Sequence, residues 1–220
     1  AAVRAAGEAC GRSGQASPAE RAGMLLAIAD AIEAHNEELA ELESLDCGKP
    51  FAAARDDEMP LTIDTFRFMA GAARTQGGSA AGEYVEGHTS MIRKDTIGPV
   101  ASIASWNYAL MMASWKLAAP IAAGCPVVLK PSEMTPLATL RLAEILNDIL
   151  PAGVLNVLYG SGAGVGDSLI NHAGVEGISI TGSPATGMAA MKAASQKIRH
   201  VHLELGGKAP VIVFGDADID

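Results

Sequence analysis

Short apolar runs alternate with helix-patterned stretches through the second half of the chain, and this alternation constrains the fold more than any other feature. The runs are PVASIAS (99–105), PVVLK (126–130), VLNVLY (154–159), GISIT (177–181), VHLEL (201–205) and PVIVF (210–214). Helical spacing fills the gaps, from Met111 to Ala123, Pro136 to Leu150, Val165 to Asn171 and 184 to 195. Runs this short and this apolar predict a parallel sheet with helices on both faces, an α/β fold. Parallel sheets bind ligands beyond the carboxyl ends of their strands, so the chemistry is expected just after each run.

The first half reads differently. Ser17, Pro18 and Glu20 form a helix start, with a hydroxyl N-cap, proline at the first position and glutamate at the third. Leu25, Ile28, Ala29, Ile32, Leu39 and Leu42 continue at helical spacing, predicting one helix over 17–45 that Gly48 and Pro50 stop. A second helix is predicted over 56–75. Gly77, Gly78 and Gly82 mark a loop, and Thr89–Arg93 and Val100–Ser105 read as strands around a Gly98-Pro99 turn.

Composition narrows the function classes. The chain is 49% hydrophobic and carries a net charge of −9, with no basic run. A nucleic acid or an anionic membrane surface is therefore not an expected partner. No stretch reaches the roughly 18 apolar residues of a membrane helix. Cys10, Cys47 and Cys125 are odd in number and far apart, which fits neither a disulfide framework nor a metal site and points to a reducing, cytoplasmic setting. His200 and His202 share one face of a strand, but no metal pattern accompanies them.

Several residues at the expected strand ends carry chemistry, each with a plainer alternative. The turn from Gly160 to Gly166 misses the usual dinucleotide fingerprint, because Val165 or Asp167 stands where the third glycine belongs. It is either a flexible turn or a phosphate cradle. Gly182-Ser183-Pro184-Ala185-Thr186-Gly187 has Walker-like glycine spacing but is followed by Met188 and Ala189, so it leaves only a helix N-terminus able to hold one phosphate. Lys130-Pro131-Ser132-Glu133 is a solvated turn or a ribose site. Glu204 lies between Leu203 and Leu205, before Gly206-Gly207. A carboxylate in a buried strand is costly unless used, so it is a general-base candidate, or else a strand-end carboxylate reaching solvent. Asn107, in Trp106-Asn107-Tyr108, caps the following helix or stabilises an oxyanion.

Taken together, the stretches ASIASWNYALMMASWKLAAPIAAGCPVVLKPSEMTPL, LPAGVLNVLYG, ISITGSPATG and LELGGKAPVIVFGDADID resemble the aldehyde dehydrogenase superfamily, in its order, across residues 89–220. The helices of 17–75 look like that family's N-terminal part. The resemblance implies a Rossmann-like NAD-binding domain that lacks the three-glycine fingerprint, with three parts: N-terminal helices over 1–80, a strand pair of oligomerisation type over 81–95, and a core over 96–220. It assigns Asn107 as the oxyanion amide and Glu204 as the general base. Trp106, Asn107, Lys130, Pro131, Ser132, Glu133, Gly162, Gly166, Thr181, Gly182, Ser183 and Leu205 become cofactor contacts. Tyr108, Met112 and Trp115 become the lining of an aldehyde tunnel. GEYVEGHTSMIRKD and SWNYALMMASWKLA are most similar to gamma-aminobutyraldehyde dehydrogenases, which implies an aminoaldehyde such as 4-aminobutanal as substrate.

Some residues depart from the pattern. Ser105 and Ala109 stand where the family has proline, on either side of Asn107. The family's nucleophilic cysteine lies a few tens of residues beyond Glu204, and none of the three cysteines can be carried over to it. The resemblance thus implies the cofactor-binding part of an NAD-dependent enzyme, a homo-oligomer when complete, without its catalytic cysteine domain. In that enzyme a thiolate attacks the aldehyde, Asn107 stabilises the oxyanion, and Glu204 activates the water that releases the acid. The competing expectation is an inactive nucleotide-binding module. A reductase of acyl phosphates or acyl-CoA would not need Glu204.

Overall fold

The computed structural model describes residues 1–218. Ile219 and Asp220, which end the LELGGKAPVIVFGDADID stretch, lie outside the described residues. Five strands form one parallel sheet: β3 (Val100–Ile103), β4 (Val127–Lys130), β5 (Leu155–Val157), β6 (Gly177–Thr181) and β7 (His200–Glu204). Their order is β5-β4-β3-β6-β7. The chain builds outward from β3 to β5, then returns to β3's other side. The reversal opens a crevice between the ends of β3 and β6, the usual ligand position in doubly wound sheets.

Helices cover the two faces unequally. α2 (Pro18–Ala34), α4 (Met59–Thr75), α5 (Ala109–Ala122) and α6 (Leu137–Asn147) bury one face, with Leu25, Ile32, Phe66, Leu117 and Leu142 closing on Val127 and Leu129. α1 (Ala2–Gln15), α7 (Asp167–Ile170) and α8 (Pro184–Ser195) cover the other, where Val3, Leu169, Ala190 and Ala194 meet Ala101, Val128, Ile178 and Ile180. Adjacent residues of β4 thus serve opposite faces, as the period of two requires. β3 and β4 are buried almost throughout, whereas β5 and β7 are edges.

Four boundaries differ from the sequence expectation. The helix predicted over 17–45 is two helices, because His35 leaves helical geometry (φ −105°, ψ 18°) and α3 (Asn36–Cys47) starts afresh with Glu37 and Glu38 in its first turn. The predicted capping box of Ser17 and Glu20 is present, and Gly48 ends α3 at φ +70°, a conformation glycine adopts without strain. The glycines at 77, 78 and 82 do not delimit one loop: β1 (Ser79–Val85) runs through Gly82 and pairs antiparallel with β2 (His88–Ile92) across a turn at Gly87. Gly98-Pro99 therefore joins this ribbon to the main sheet and does not make a hairpin.

The fourth difference is PVIVF at 210–214, which forms no strand. Val211, Ile212, Val213 and Phe214 are exposed and belong to no ladder among the described residues. High β-propensity gives a strand only where a neighbouring strand supplies its hydrogen bonds.

Candidate active site

The expected residues gather at one end of the sheet. Trp106-Asn107 follows β3, Lys130 ends β4, the glycine turn follows β5, Thr181 ends β6 and Glu204 ends β7. Parallel register makes this inevitable once the strands pair. Ile103 lies opposite Lys130 and Ile180, and Thr181 lies opposite Glu204.

Lys130 and Glu133 form a locked pair. Lys130 is 2% exposed, and its Nζ donates to Glu133 Oε2 at 2.7 Å and to the Pro131 carbonyl at 2.9 Å. Ser132 Oγ accepts from the Met134 N–H and tightens the same turn. The other Glu133 oxygen accepts the Gly162 N–H at 3.0 Å, which ties the turn after β4 to the turn after β5. These donors, Lys130 first, hold the Glu133 carboxyl at about 2, so it is ionised at any working pH. The glycine turn is a π-helical segment, Gly162–Gly166, capped by the Ser161 hydroxyl. Gly162 faces open space, and Gly166 is buried against Lys130 and Ile103.

At the end of β6, Ser183 caps α8 by accepting the Thr186 N–H at 3.2 Å, and Pro184 fills the first helical position. The Gly182 N–H donates to the Glu204 carbonyl at 3.0 Å, so this turn and the end of β7 move as one. Leu205 packs onto α8 at Gly187, where any β-carbon would stand 2.7 Å from its Cδ1. Gly187, which the sequence offered only as part of a Walker-like spacing, is what lets Leu205 lie there.

Asn107 and Glu204 are both exposed, so Glu204 is the strand-end carboxylate reaching solvent that the sequence left as the alternative to a buried one. Asn107 is exposed, and α5 takes Tyr108 as its N-cap residue without any side-chain cap. The Asn107 carboxamide makes no hydrogen bond to another described residue, so the capping alternative fails. Glu204 is also exposed. On β7, Val201 and Leu203 face inward toward α8, while His200, His202 and Glu204 share the opposite face. The segment HVHLE alternates polar and apolar residues, the pattern of a strand buried on one side.

That open face is one wall of a cavity of about 750 Å³. Glu204, Thr181, Met112, Trp115 and Lys116 line it toward the carboxyl ends of the strands, and Cys125 and Gly177 line it toward the amino ends. Met112 and Trp115 thus share a cavity with Glu204. Tyr108 does not line it. Its ring packs instead beside the Lys49 ammonium, 4.9 Å from Nζ to the ring centre.

Lys116 is the residue that sequence reasoning missed. It is 5% exposed and donates to Ser179 Oγ at 3.0 Å, and Ser179 Oγ contacts His202 Nδ1 at 3.2 Å. Burial lowers the Lys116 pKa to about 8, against the opposing charge of Glu204. The signal was a single cation inside the otherwise apolar helix SWKLAAPIAA. A buried, perturbed cation lining a cavity is a candidate functional position. It also burdens the fold. A lysine whose folded pKa is depressed costs stability wherever it must be protonated, fully below about pH 8 and no longer above its ordinary 10.5. Lys116→Met is therefore expected to stabilise the chain at pH 7 by about 3 kcal/mol at most, at 1.36 kcal/mol per pKa unit. The gain in Tm should shrink as pH rises from 8 to 10. No gain at pH 7 would show the ammonium to be fully compensated.

Of the three thiols, Cys125 lines the cavity near the amino ends of the strands and the other two lie outside it. Cys125 is 4% exposed, precedes β4 and contacts Thr96 Oγ1 at 3.0 Å. Burial, then the nearby Cys125, raises the Cys10 pKa. Cys47 lies under the β3–α5 loop, with Sγ 3.3 Å from the Trp106 carbonyl, and burial followed by the Glu43 charge pushes it up to about 11.

Comparison with known proteins accords with this geometry. The sequence model described as "Aldehyde dehydrogenase family" matches residues 1–220. The chain is 44% identical over 209 residues to aminoaldehyde dehydrogenase 1, peroxisomal, of Pisum sativum, covering 93% of this chain and 41% of that protein. It is 44% identical over 215 residues to the fluoroacetaldehyde dehydrogenase of Streptantibioticus cattleyicolor, covering 98% and 42%. Among solved structures, the NAD+ complex of aldehyde dehydrogenase from Bacillus cereus superposes with a TM-score of 0.91 at 40% identity, over 99% of this chain and 45% of that one. The chain thus spans about two fifths of the length of the curated relatives it matches.

Proposed function

The chain belongs to the aldehyde dehydrogenase family, and from that premise we propose that it is the NAD-holding part of an enzyme that oxidises an aldehyde, an aminoaldehyde such as 4-aminobutanal, to the carboxylic acid. The observation that carries the reading is the convergence of Lys130, Glu133, Asn107 and Glu204 at the carboxyl ends of β4, β3 and β7, around the crevice where the strand order reverses.

The residues present fit the cofactor. Lys130 and the ionised Glu133 offer a cation and a carboxylate, the pair suited to the vicinal hydroxyls of a ribose. Gly162 and Gly166 keep the neighbouring turn free of side chains. The N-terminus of α8 beside Thr181, Gly182 and Ser183 suits a phosphate. Trp106, Pro131, Ser132 and Leu205 frame these groups. When bound, the nicotinamide would accept the electrons of the aldehyde C–H bond. The chain's own contributions are the Asn107 amide, aimed at a developing oxyanion, and the Glu204 carboxylate, which takes a proton from water. Met112 and Trp115 line the approach from the cavity, with Tyr108 at the loop beside it. Residues 81–95 are assigned to subunit contacts, supported by the exposed Tyr84, Val85, Met91 and Ile92 of the ribbon. The names of relatives that act on aminoaldehydes support the substrate class.

Two measurements test this. Residues 1–220 are expected to bind NAD with quenching of Trp106 or Trp115 fluorescence, and NADP more weakly, because Glu133 repels a 2′-phosphate. Lys130→Ala should weaken NAD binding, and Glu133→Ala should erase the preference. Equal binding of both cofactors by all three proteins would sink the assignment. In the second measurement, residues 1–220 alone are expected to form no NADH from aldehydes. Cys125 is enclosed at the wrong end of β4, and Cys47 keeps its proton far above neutral pH. NADH formation that vanishes in Cys47→Ser or Cys125→Ser would overturn that placement.

A further inference from the structure

The loop that carries Asn107 rests on a buried charge cluster that the proposed chemistry does not use. Lys49 Nζ donates to Glu58 at 2.7 and 2.8 Å, to Glu43 Oε1 at 3.2 Å, and to the backbone carbonyl of Asn107 itself at 2.9 Å. The side chains of Lys49, Glu43 and Glu58 are 14%, 2% and 12% exposed. Glu43 Oε1 also accepts the Leu110 N–H at 3.4 Å. It thereby supplies, from α3, the cap that α5 lacks at its own N-terminus. Two further bonds hold the preceding carbonyl: Trp106 O accepts from Thr135 Oγ1 at 2.9 Å and from Cys47 Sγ at 3.3 Å. The contacts that reach the loop and the first turn of α5 all grip backbone: the Trp106 and Asn107 carbonyls and the Leu110 N–H. The Asn107 side chain is exposed and bonds no other described residue, on a loop whose carbonyls are held from below.

Such an arrangement is expensive for mere stability. Three charged groups are largely out of water, and Glu43 Oε2 has no hydrogen-bond partner among the described residues. A fold that needed only to tie α3 to α5 could do so with apolar packing. A loop that must present one amide within a fraction of an ångström cannot, because apolar contacts do not fix the orientation of a peptide plane. We propose that Lys49, seated by Glu58 and Glu43, is a positioning residue for Asn107: it holds the Asn107 carbonyl so that the carboxamide points at the reacting oxygen. The inference rests on the oxyanion assignment of Asn107.

The test is a double-mutant cycle in the protein carrying this sequence, read as the rate constant of the first NADH turnover. The variants are Lys49→Met, Asn107→Ala, the double variant and Lys49→Arg. Lys49→Met is expected to slow the first turnover about tenfold, with NAD affinity and aldehyde KM within about twofold of the parent. In the Asn107→Ala background the same substitution should cost nothing more, because its effect is transmitted through the missing amide. Lys49→Arg, which retains a donor to the carbonyl, should recover part of the rate. An unchanged first turnover in Lys49→Met overturns the proposal. So does a loss of the same size in both backgrounds, which would mark the cluster as general scaffolding. Should Lys49→Met fail to fold, Glu58→Gln enters the same cycle, since it loosens Lys49 while keeping the shape. If Asn107→Ala alone leaves the first turnover unchanged, the oxyanion assignment has failed and this inference fails with it. An effect of Asn107→Ala with none of Lys49→Met sinks the inference alone.

Discussion

Glu204→Gln, in the protein carrying this sequence, is expected to release NADH in a first turnover and then nearly stop. The carboxylate ends β7 on its polar face and opens into the cavity shared with Met112, Trp115 and Lys116. It is accessible to water, as a group that deprotonates water must be. Glutamine keeps the shape and the hydrogen-bonding reach but cannot take a proton. Loss of a general base costs roughly 10²–10⁴-fold, and here the loss should fall on the steady rate only. The first turnover needs the oxyanion amide and the cofactor, not the activated water. The Gly182 N–H bonds the Glu204 main-chain carbonyl, so the substitution leaves the strand end intact. Stopped-flow absorbance separates the two phases. Equal loss of both would assign Glu204 to cofactor or aldehyde placement, and survival of both would reduce it to a solvated strand end.

The sheet and the clustering of the candidate residues at one end of it were legible for the same reason. PVVLK is buried throughout and GISIT keeps Ile178 and Ile180 in the core, so both admit one placement, inside a parallel sheet, and their ends then define the candidate site. The helix at 184–195 was legible to the residue because Ser183 and Pro184 fix its start. What failed shares a different cause. VHLEL was read by its apolar content, yet its register as HVHLE puts Glu204 with the two histidines on an open face. The buried setting read for Glu204 presupposed cover over that face, which α5 provides for β3 and β4 but not for β7. PVIVF has the propensity of a strand and no partner. Lys49 was legible only as the residue between two helix breakers. Its role depends on contacts with Glu43, Glu58 and the Asn107 carbonyl, up to 58 residues away in sequence, and no local pattern encodes those.

Asn107→Ala separates the two roles that sequence left open for this residue, and it is expected to slow catalysis severely while sparing the fold. An N-cap residue replaced by alanine costs about 1 kcal/mol of stability. The Asn107 carboxamide caps nothing: α5 begins at Tyr108 without a side-chain cap, and its Leu110 amide is taken by Glu43. The side chain is exposed and makes no bond to another described residue, so the Tm of Asn107→Ala should match the parent, as for most surface substitutions. The first turnover should behave otherwise. Removing one preorganised oxyanion donor typically lowers the rate by 10²–10³, and the loss should appear in kcat with little change in KM, since the ground-state carbonyl gains far less from the amide than the developing oxyanion does. Asn107→Asp has nearly the same volume but would set a carboxylate against that negative charge, so it should be slower still at neutral pH. An unimpaired first turnover with a lower Tm would return Asn107 to a structural role. The expected pattern is an unchanged Tm with both variants slow and aspartate the slower, which only a donor aimed at growing negative charge accounts for.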